Sequence, residues 1–318
     1  MVEITVAYYL GIDGGGTKTT CAVGDEHSVL ASSTAGPSNI TRVGEKRARE
    51  SIHQAIRSTC EAAKLSPSEI KRVCIGAAGA AREEAATALR KFSEELIHGE
   101  IEVVGDMAIS MEAAFGAGPG VIVIAGTGSI AYGRNIHGAT ARAGGWGFAI
   151  GDEGSAHWIG RKALSQLLRA VDERAKGSLS QNIAQADFIS GSLFRELMLV
   201  WKVDSLEELA RRANSDSDFS ALFPAVLASA DSGDDLAREV LEKAATQLLR
   251  LAAIVIRRLF PEGDDVTLAM AGGVFRHSKT IRQLFCDQVL AAHPKAILNQ
   301  EIVEPVHGAL KMARKPKG

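Results

Sequence analysis

Two glycine–threonine segments hold the residues of this 318-residue chain best suited to chemistry: GIDGGGTKT, from Gly11 to Thr19, and AGTGS, from Ala125 to Ser129. Gly14, Gly15 and Gly16 open backbone conformations closed to other residues and let main-chain N–H groups approach an anion with no Cβ in the way. Thr17 adds a hydroxyl donor and Lys18 a positive charge, while Asp13 can hold a magnesium ion directly or through water. Gly126, Thr127 and Gly128 repeat the glycine–hydroxyl chemistry. This is not the Walker loop, because the GxxxxGKS/T spacing is missing and a strand rather than a helix is expected next. One such cluster alone reads as a hairpin turn. Two matched copies, the first with an acid at its strand end, point to a nucleotide polyphosphate gripped from two sides.

The elements that must position these loops follow from hydrophobic runs. Each loop is preceded by a buried-strand pattern, AYYLGID or GVIVIAG, and followed by a second, TTCAVGD or IAYGRN. Three strands are expected from Tyr8 to about Ala35, then a helix over 45–63 whose apolar stripe is Ala48, Ile52, Ala55, Ile56 and Cys60. A strand with a small-residue turn at its end over Arg72–Ala80, a helix over Glu83–Leu96, a strand over Ile101–Asp106 and a helix over Met107–Phe115 come next. AGPG then links to a second half, mostly helical from Gly154 to about Leu259. A strand over Val266–Val274, a helix, a strand near Ala296–Val303 and a closing helix, PVHGALKMA, expected to pack back on the first half, complete the chain. Strands with functional residues at their ends, interleaved with helices, describe an α/β protein; the repeated strand–loop–strand predicts two related domains facing a cleft.

Three further places carry candidate residues. Asp106 ends the IEVVG strand, where an acid either faces a cleft or caps the next helix, and spacing leaves both open. In the block from Gly144 to Gly160, Gly144, Gly145 and Gly147 surround Trp146, and Asp152, Glu153 and Ser155 follow. A capped helix start accounts for Ser155, but carboxylates beside a rigid apolar plate also suit a carbohydrate. In MAGGVF, Gly272 and Gly273 leave room for a flat ring, with a helix N-terminus after them.

Composition narrows the classes. A formal net charge of −2 argues against nucleic-acid or membrane-surface partners. The N-terminus lacks a basic start and no apolar run reaches bilayer-spanning length, so a cytoplasmic protein without a leader is expected. Cys21, Cys60, Cys74 and Cys286 are scattered in apolar runs, and the histidines share no ligand spacing, which speaks against a cysteine- or histidine-built metal centre.

Together GIDGGGTKT, VVGD, AGTGS, GGWGFAIGDEGSAHWIG and MAGGVF resemble, nearly end to end, the N-acetylglucosamine kinases and BadF/BadG/BcrA/BcrD ATPases of the actin, hexokinase and Hsp70 superfamily. The resemblance implies two ribonuclease-H-like, actin-like ATPase domains: 1–117, completed by the C-terminal helix 305–318, and 118–304 with a helical insertion. It implies ATP and magnesium between the domains, a homodimer, and Asp106 as the base for the attacking sugar hydroxyl. Sugar contacts fall on Asn39, Asp106, Thr127, Gly145, Trp146 and Asp152, and adenosine on Gly272 and Gly273. The expected activity is ATP-dependent phosphorylation of N-acetylglucosamine, or a close amino sugar, at the 6-hydroxyl. Glucosamine, N-acetylmuramic acid and glucose stay open as substrates, because GAAGAAR (Gly76–Arg82) lacks the hydroxyl side chain expected of a sugar-binding loop. An ATPase that activates a partner enzyme is the competing class, disfavoured by the lack of paired cysteines, and a non-catalytic sensor is disfavoured by the intact Asp106 and first loop.

Overall fold

A computed structural model describes residues 6–77, 79–80, 82–174, 192–215, 218–261 and 265–316. The chain divides into two compact units, Met1–Ile122 with Val303–Gly318, and Val123–Ile302.

The first unit is built on a five-stranded sheet of order β3-β2-β1-β4-β5. Its strands are β1 (Tyr8–Gly14), β2 (Thr19–Gly24), β3 (Val29–Ala35), β4 (Ile70–Ala77) and β5 (Glu100–Gly105). β1–β2–β3 is an antiparallel meander, whereas β4 and β5 add in parallel through crossover helices α1 (Ile40–Ala62) and α2 (Glu83–Glu94). Strand side chains alternate between faces, and the sheet uses both. Leu10 and Ile12 of β1, with Val73 and Ile75 of β4, pack under Ile52, Ala55 and Ile56 of α1. Tyr9 and Cys74 face the other way, onto Ile109 of α3 (Asp106–Phe115) and onto Val306, Ala309, Leu310 and Ala313 of the last helix, Pro305–Arg314. That last helix is fastened at its end. Arg314 donates to the carbonyls of Asp25 and Ser28, and the Lys315 ammonium pairs with Glu112 of α3 at 2.7 Å.

The second unit repeats the strand order. Its sheet runs β10-β9-β6-β7-β8, with β6 (Gly120–Ala125), β7 (Ser129–Arg134), β8 (Thr140–Gly144), β9 (Thr267–Ala271) and β10 (Ile297–Val303). In each sheet the first strand in sequence is central, the second and third lie to one side, and the fourth and fifth to the other. Its helices, numbered in chain order, are α4 (Ala156–Arg174), α5 (Ser192–Trp201), α6 (Leu206–Ala213), α7 (Phe223–Asp231), α8 (Asp235–Leu259), α9 (Gly273–His277) and α10 (Lys279–Ala292); the Pro305–Arg314 helix of the first unit is thus α11. The buried side of α8, including Leu248, Leu251, Ala252 and Val255, packs on β7, β8 and α10.

Several boundaries differ from the sequence reading, each for a local reason. α1 begins at Ile40, but Gly44 breaks its geometry with φ 78° and ψ 163°, so the regular helix starts where the apolar stripe predicts. β4 stops at Ala77, and Gly79 and Ala80 form the small-residue turn expected at the end of that run; Ala78 and Ala81 lie outside the described residues. β9 ends at Ala271 rather than running on to Val274, because Gly272 turns the chain into α9. β8 is a strand the sequence reading did not expect. The helical stretch expected from Gly154 to Leu259 includes 175–191 and 216–217, which also lie outside the described residues. Among the described residues no helix is long and apolar enough to cross a membrane.

Candidate active site

In the first unit, strand alternation places the acids. Asp13 shares the parity of Tyr9 and Gly11, so it lies on the sheet face covered by α3 and α11. α3 begins with Asp106 itself, and Glu304 immediately precedes α11. Asp106 is therefore a helix residue rather than the strand end expected from sequence, and its Oδ1 accepts the Met107 amide at 3.0 Å. Burial pushes the Asp13 carboxyl up to about 7; the Asp106 and Glu304 charges add to the rise, and Lys18 opposes it. Burial also raises the Asp106 carboxyl above its ordinary range, against the amides of Met107 and its own residue. No donor among the described residues hydrogen-bonds to the Asp13 carboxylate. Half-buried and without a donor, its charge disfavoured by burial and by two neighbouring acids, this carboxylate is a hard oxygen group that could hold a cation.

The first loop is the turn between β1 and β2, closed by the Gly15 amide donating to the Lys18 carbonyl at 3.0 Å, with Thr17 and Lys18 at its exposed tip. None of Gly14, Gly15 and Gly16 has a left-handed φ, which corrects the expectation that they are needed for unusual dihedrals. Ser38, buried, donates its amide to the Gly15 carbonyl at 3.2 Å, and Thr19 Oγ1 donates to Ser38 Oγ at 2.8 Å. These bonds tie the 36–39 segment, and with it Asn39, to the loop.

In the second unit, AGTGS is the turn between β6 and β7, closed by the Gly126 amide donating to the Gly128 carbonyl at 2.9 Å. The first amides of α4 reach back to it: Ala156 donates to the Gly126 carbonyl at 2.9 Å and His157 to that of Thr127 at 3.4 Å. Ser155 caps α4, its Oγ accepting from the Trp158 amide at 3.1 Å. The His157 ring sits between Phe148 and Phe219, which makes it a packing residue. Asp152 is buried, with φ 62°. Its carboxylate accepts the backbone N–H groups of Ser129 and Gly147, and burial raises its affinity for a proton. A side chain at Gly128 would place a Cβ 2.6 Å from Asp152 Oδ2, so glycine there is a condition of this contact. Gly272 combines a φ of 96° with an approach in which a Cβ would lie 2.3 Å from the Ala125 carbonyl oxygen. The Gly272–Gly273 turn is thus seated against the AGTGS turn.

The structure accordingly gathers Asp13, Gly14–Lys18, Asn39 and Asp106 within the first unit. Within the second it gathers Gly126–Gly128, Asp152 and Gly272–Gly273, with Gly145 and Trp146 on the loop that Asp152 anchors. Trp146, Phe148 and Ile150 on this loop are all exposed. Two participants escaped the sequence reading. Glu304 obeys the same rule as Asp13, an acid closing an apolar-ended strand, but ILNQEIV is too polar to draw attention to its end. Ser38 stood one residue from Asn39 without being singled out. Among the described residues no three His, Cys, Asp or Glu side chains form a metal cluster, and all four cysteines are buried and unpaired.

Comparison with known proteins extends these features over the whole chain. It is 31% identical over 309 residues to an N-acetylmuramic acid/N-acetylglucosamine kinase of Clostridium acetobutylicum, covering 96% of this chain and 98% of that one. It is 29% identical to an N-acetyl-D-glucosamine kinase of Dictyostelium discoideum, covering 97% and 98%. Among solved structures, a candidate N-acetylglucosamine kinase from Chromobacterium violaceum superposes with a TM-score of 0.74 at 24% identity, over 97% of this chain and 99% of that one. A glucokinase of the ROK family from Streptomyces griseus shares the fold at a TM-score of 0.62 and 17% identity, over 97% and 99%. The BadF/BadG/BcrA/BcrD ATPase family profile matches residues 10–313, and the chain belongs to that family.

Proposed function

We propose that this chain transfers the γ-phosphoryl group of ATP to the 6-hydroxyl of N-acetylglucosamine, or a close amino sugar, giving the sugar 6-phosphate and ADP. The observation that carries the reading is Asp106, a half-buried carboxyl with a raised proton affinity, at the start of α3, the helix that covers the sheet face of Asp13, close enough for its charge to act on Asp13. Full-length similarity to proteins named as amino-sugar kinases supports the substrate class.

In this reading the Asp106 carboxylate accepts the sugar hydroxyl proton as that oxygen bonds to the γ-phosphorus. The bond to the ADP oxygen breaks, and its electron pair leaves with ADP. Such a transition state is loose, so the protein's work is to position groups and stabilise charge. A base whose affinity for protons is raised toward neutrality is better matched to this task. The amides of Gly14, Gly15 and Gly16, the Thr17 hydroxyl and Lys18 serve the phosphates from one turn, and Gly126, Thr127 and Gly128 from the other. Gly272 and Gly273 take the adenosine. Asn39, Thr127, Gly145, Trp146 and Asp152 contact the sugar; Asp152, with two amides already bound, keeps lone pairs for a sugar hydroxyl. Magnesium fits Asp13, since a single donor-free carboxylate suits an ion that keeps most of its waters. When bound it supplies neutralisation of phosphate charge. The resemblance extends the reading to a cytoplasmic homodimer, which light scattering of the purified chain checks for mass.

The test is ADP release from ATP measured against N-acetylglucosamine, glucosamine, N-acetylmuramic acid and glucose. Release that depends on an amino sugar supports the reading. Hydrolysis indifferent to every sugar contradicts it and favours an ATPase that drives a partner enzyme.

A further inference from the structure

We infer that Arg142 forms a binding site for the carboxylate of an acidic amino sugar, an inference that rests on the kinase reading above and on Trp146 as a sugar contact. Arg142 is exposed on β8, opposite Tyr132 of β7. Its guanidinium carbon lies 4.6 Å from the centre of the Trp146 ring. One face of the ring is thereby covered by a cation, while the side chain as a whole stays 67% exposed. A second guanidinium stands close by: Arg258, in the last turn of α8, donates Nη1 to the Arg142 carbonyl at 2.8 Å. Among the described residues neither arginine is paired with a carboxylate. Asp152, which anchors the same loop, is already engaged with the amides of Ser129 and Gly147.

Stacking on the indole would by itself explain one arginine, since the ring's negative face attracts a cation. It does not explain a second guanidinium held at the Arg142 main chain, with neither arginine paired to a carboxylate among the described residues. A guanidinium lying over a ring keeps its N–H edge in plane and open, and that edge matches a carboxylate in a two-pronged bond. A neutral amino sugar uses none of this charge. A sugar bearing an acid on an ether side chain, as N-acetylmuramic acid does, uses it fully.

The experiment compares kcat/KM for N-acetylmuramic acid with that for N-acetylglucosamine in the full chain and in Arg142→Gln, Arg142→Lys and Arg258→Gln. The native chain should phosphorylate both sugars. Arg142→Gln should lower the acidic-to-neutral ratio by about tenfold or more, the scale of one lost charged hydrogen bond. Arg142→Lys should recover part of the ratio through charge alone, and Arg258→Gln should lower it less. A ratio unchanged within about twofold in Arg142→Gln overturns the inference, because loss of stacking alone would depress both sugars together. So does a rise in KM for ATP that is equal with either sugar, which would assign the charge to the nucleotide. Native turnover of N-acetylglucosamine without any of N-acetylmuramic acid overturns the inference and leaves the kinase reading standing. Turnover of neither, nor of any other sugar, overturns both.

Discussion

Asp13, on one sheet face, and Asp106, at the start of the helix covering that face, respond to different surroundings. Asp106 spends part of its capacity on the Met107 amide, which holds the carboxylate in place at the start of α3. Asp13 has no such donor and feels Asp106 and Glu304 as well as burial. Asp106→Asn should lower kcat by about 10²–10⁴ and leave the KM for sugar nearly as it was, read in steady-state kinetics; near-native kcat would remove the base from the proposal. For Asp13, the folded state holds a proton up to about pH 7, whereas the unfolded chain releases it near its ordinary value of 3.8. Stability from this group is therefore fully present below the lower value and is lost as the pH rises through the upper one. Without metal or nucleotide, the melting temperature of the native protein should fall more steeply between about pH 4 and 7 than that of Asp13→Asn. Parallel curves would contradict this. Both aspartates were visible in the sequence because each ends or follows an apolar run. Glu304 follows the same rule and was missed, since asparagine, glutamine and glutamate interrupt its strand.

Among the elements, two contacts decide where the candidate residues stand. α11 crosses α3 so closely that a Cβ at Gly308 would lie 1.9 Å from the Ile109 carbonyl oxygen. Ile109 in turn fills the space over Gly76, where a Cβ would lie 2.2 Å from its Cδ1. α3, and Asp106 with it, is wedged between β4 and α11. Gly308→Ala should cost about 1–3 kcal/mol of stability and lower kcat as α3 shifts; an unchanged denaturation midpoint would show the crossing to be slack. The second contact is Asp152, whose carboxylate joins the AGTGS turn to the Trp146 loop. Asp152→Ala strands two amides and should cost about 1–3 kcal/mol. Asp152→Asn keeps an acceptor and tolerates the positive φ, so it should melt between native and alanine forms. Equal melting of the two variants would refute the bracing role. Neither contact was legible in the sequence. Gly308 reads as an ordinary helix residue and Asp152 as a cap or a ligand, because only tertiary packing brings Ile109 or Gly128 against them. β8 was missed for a simpler reason: TARAG is short, half polar and lacks a clear alternation.

At the scale of the whole chain, the two sheets share one strand order, and that repetition was announced by the paired strand–glycine turn–strand segments. The last helix packs on the sheet of the first unit. Val306, Ala309, Leu310 and Ala313 cover Tyr9, Ala22 and Cys74. Deleting residues 304–318 should therefore leave a first unit with an uncovered sheet face, giving aggregated protein rather than a soluble chain with lower activity; a soluble, cooperatively melting product would contradict this packing. The central claim is the transfer of phosphate to a sugar alcohol, and the most direct measurement is phosphorus–proton correlation NMR of the product formed from ATP and N-acetylglucosamine. The account predicts a new phosphate monoester coupled to the protons on carbon 6. Inorganic phosphate as the sole new phosphorus species besides ADP, or coupling to the proton on carbon 1, would contradict it.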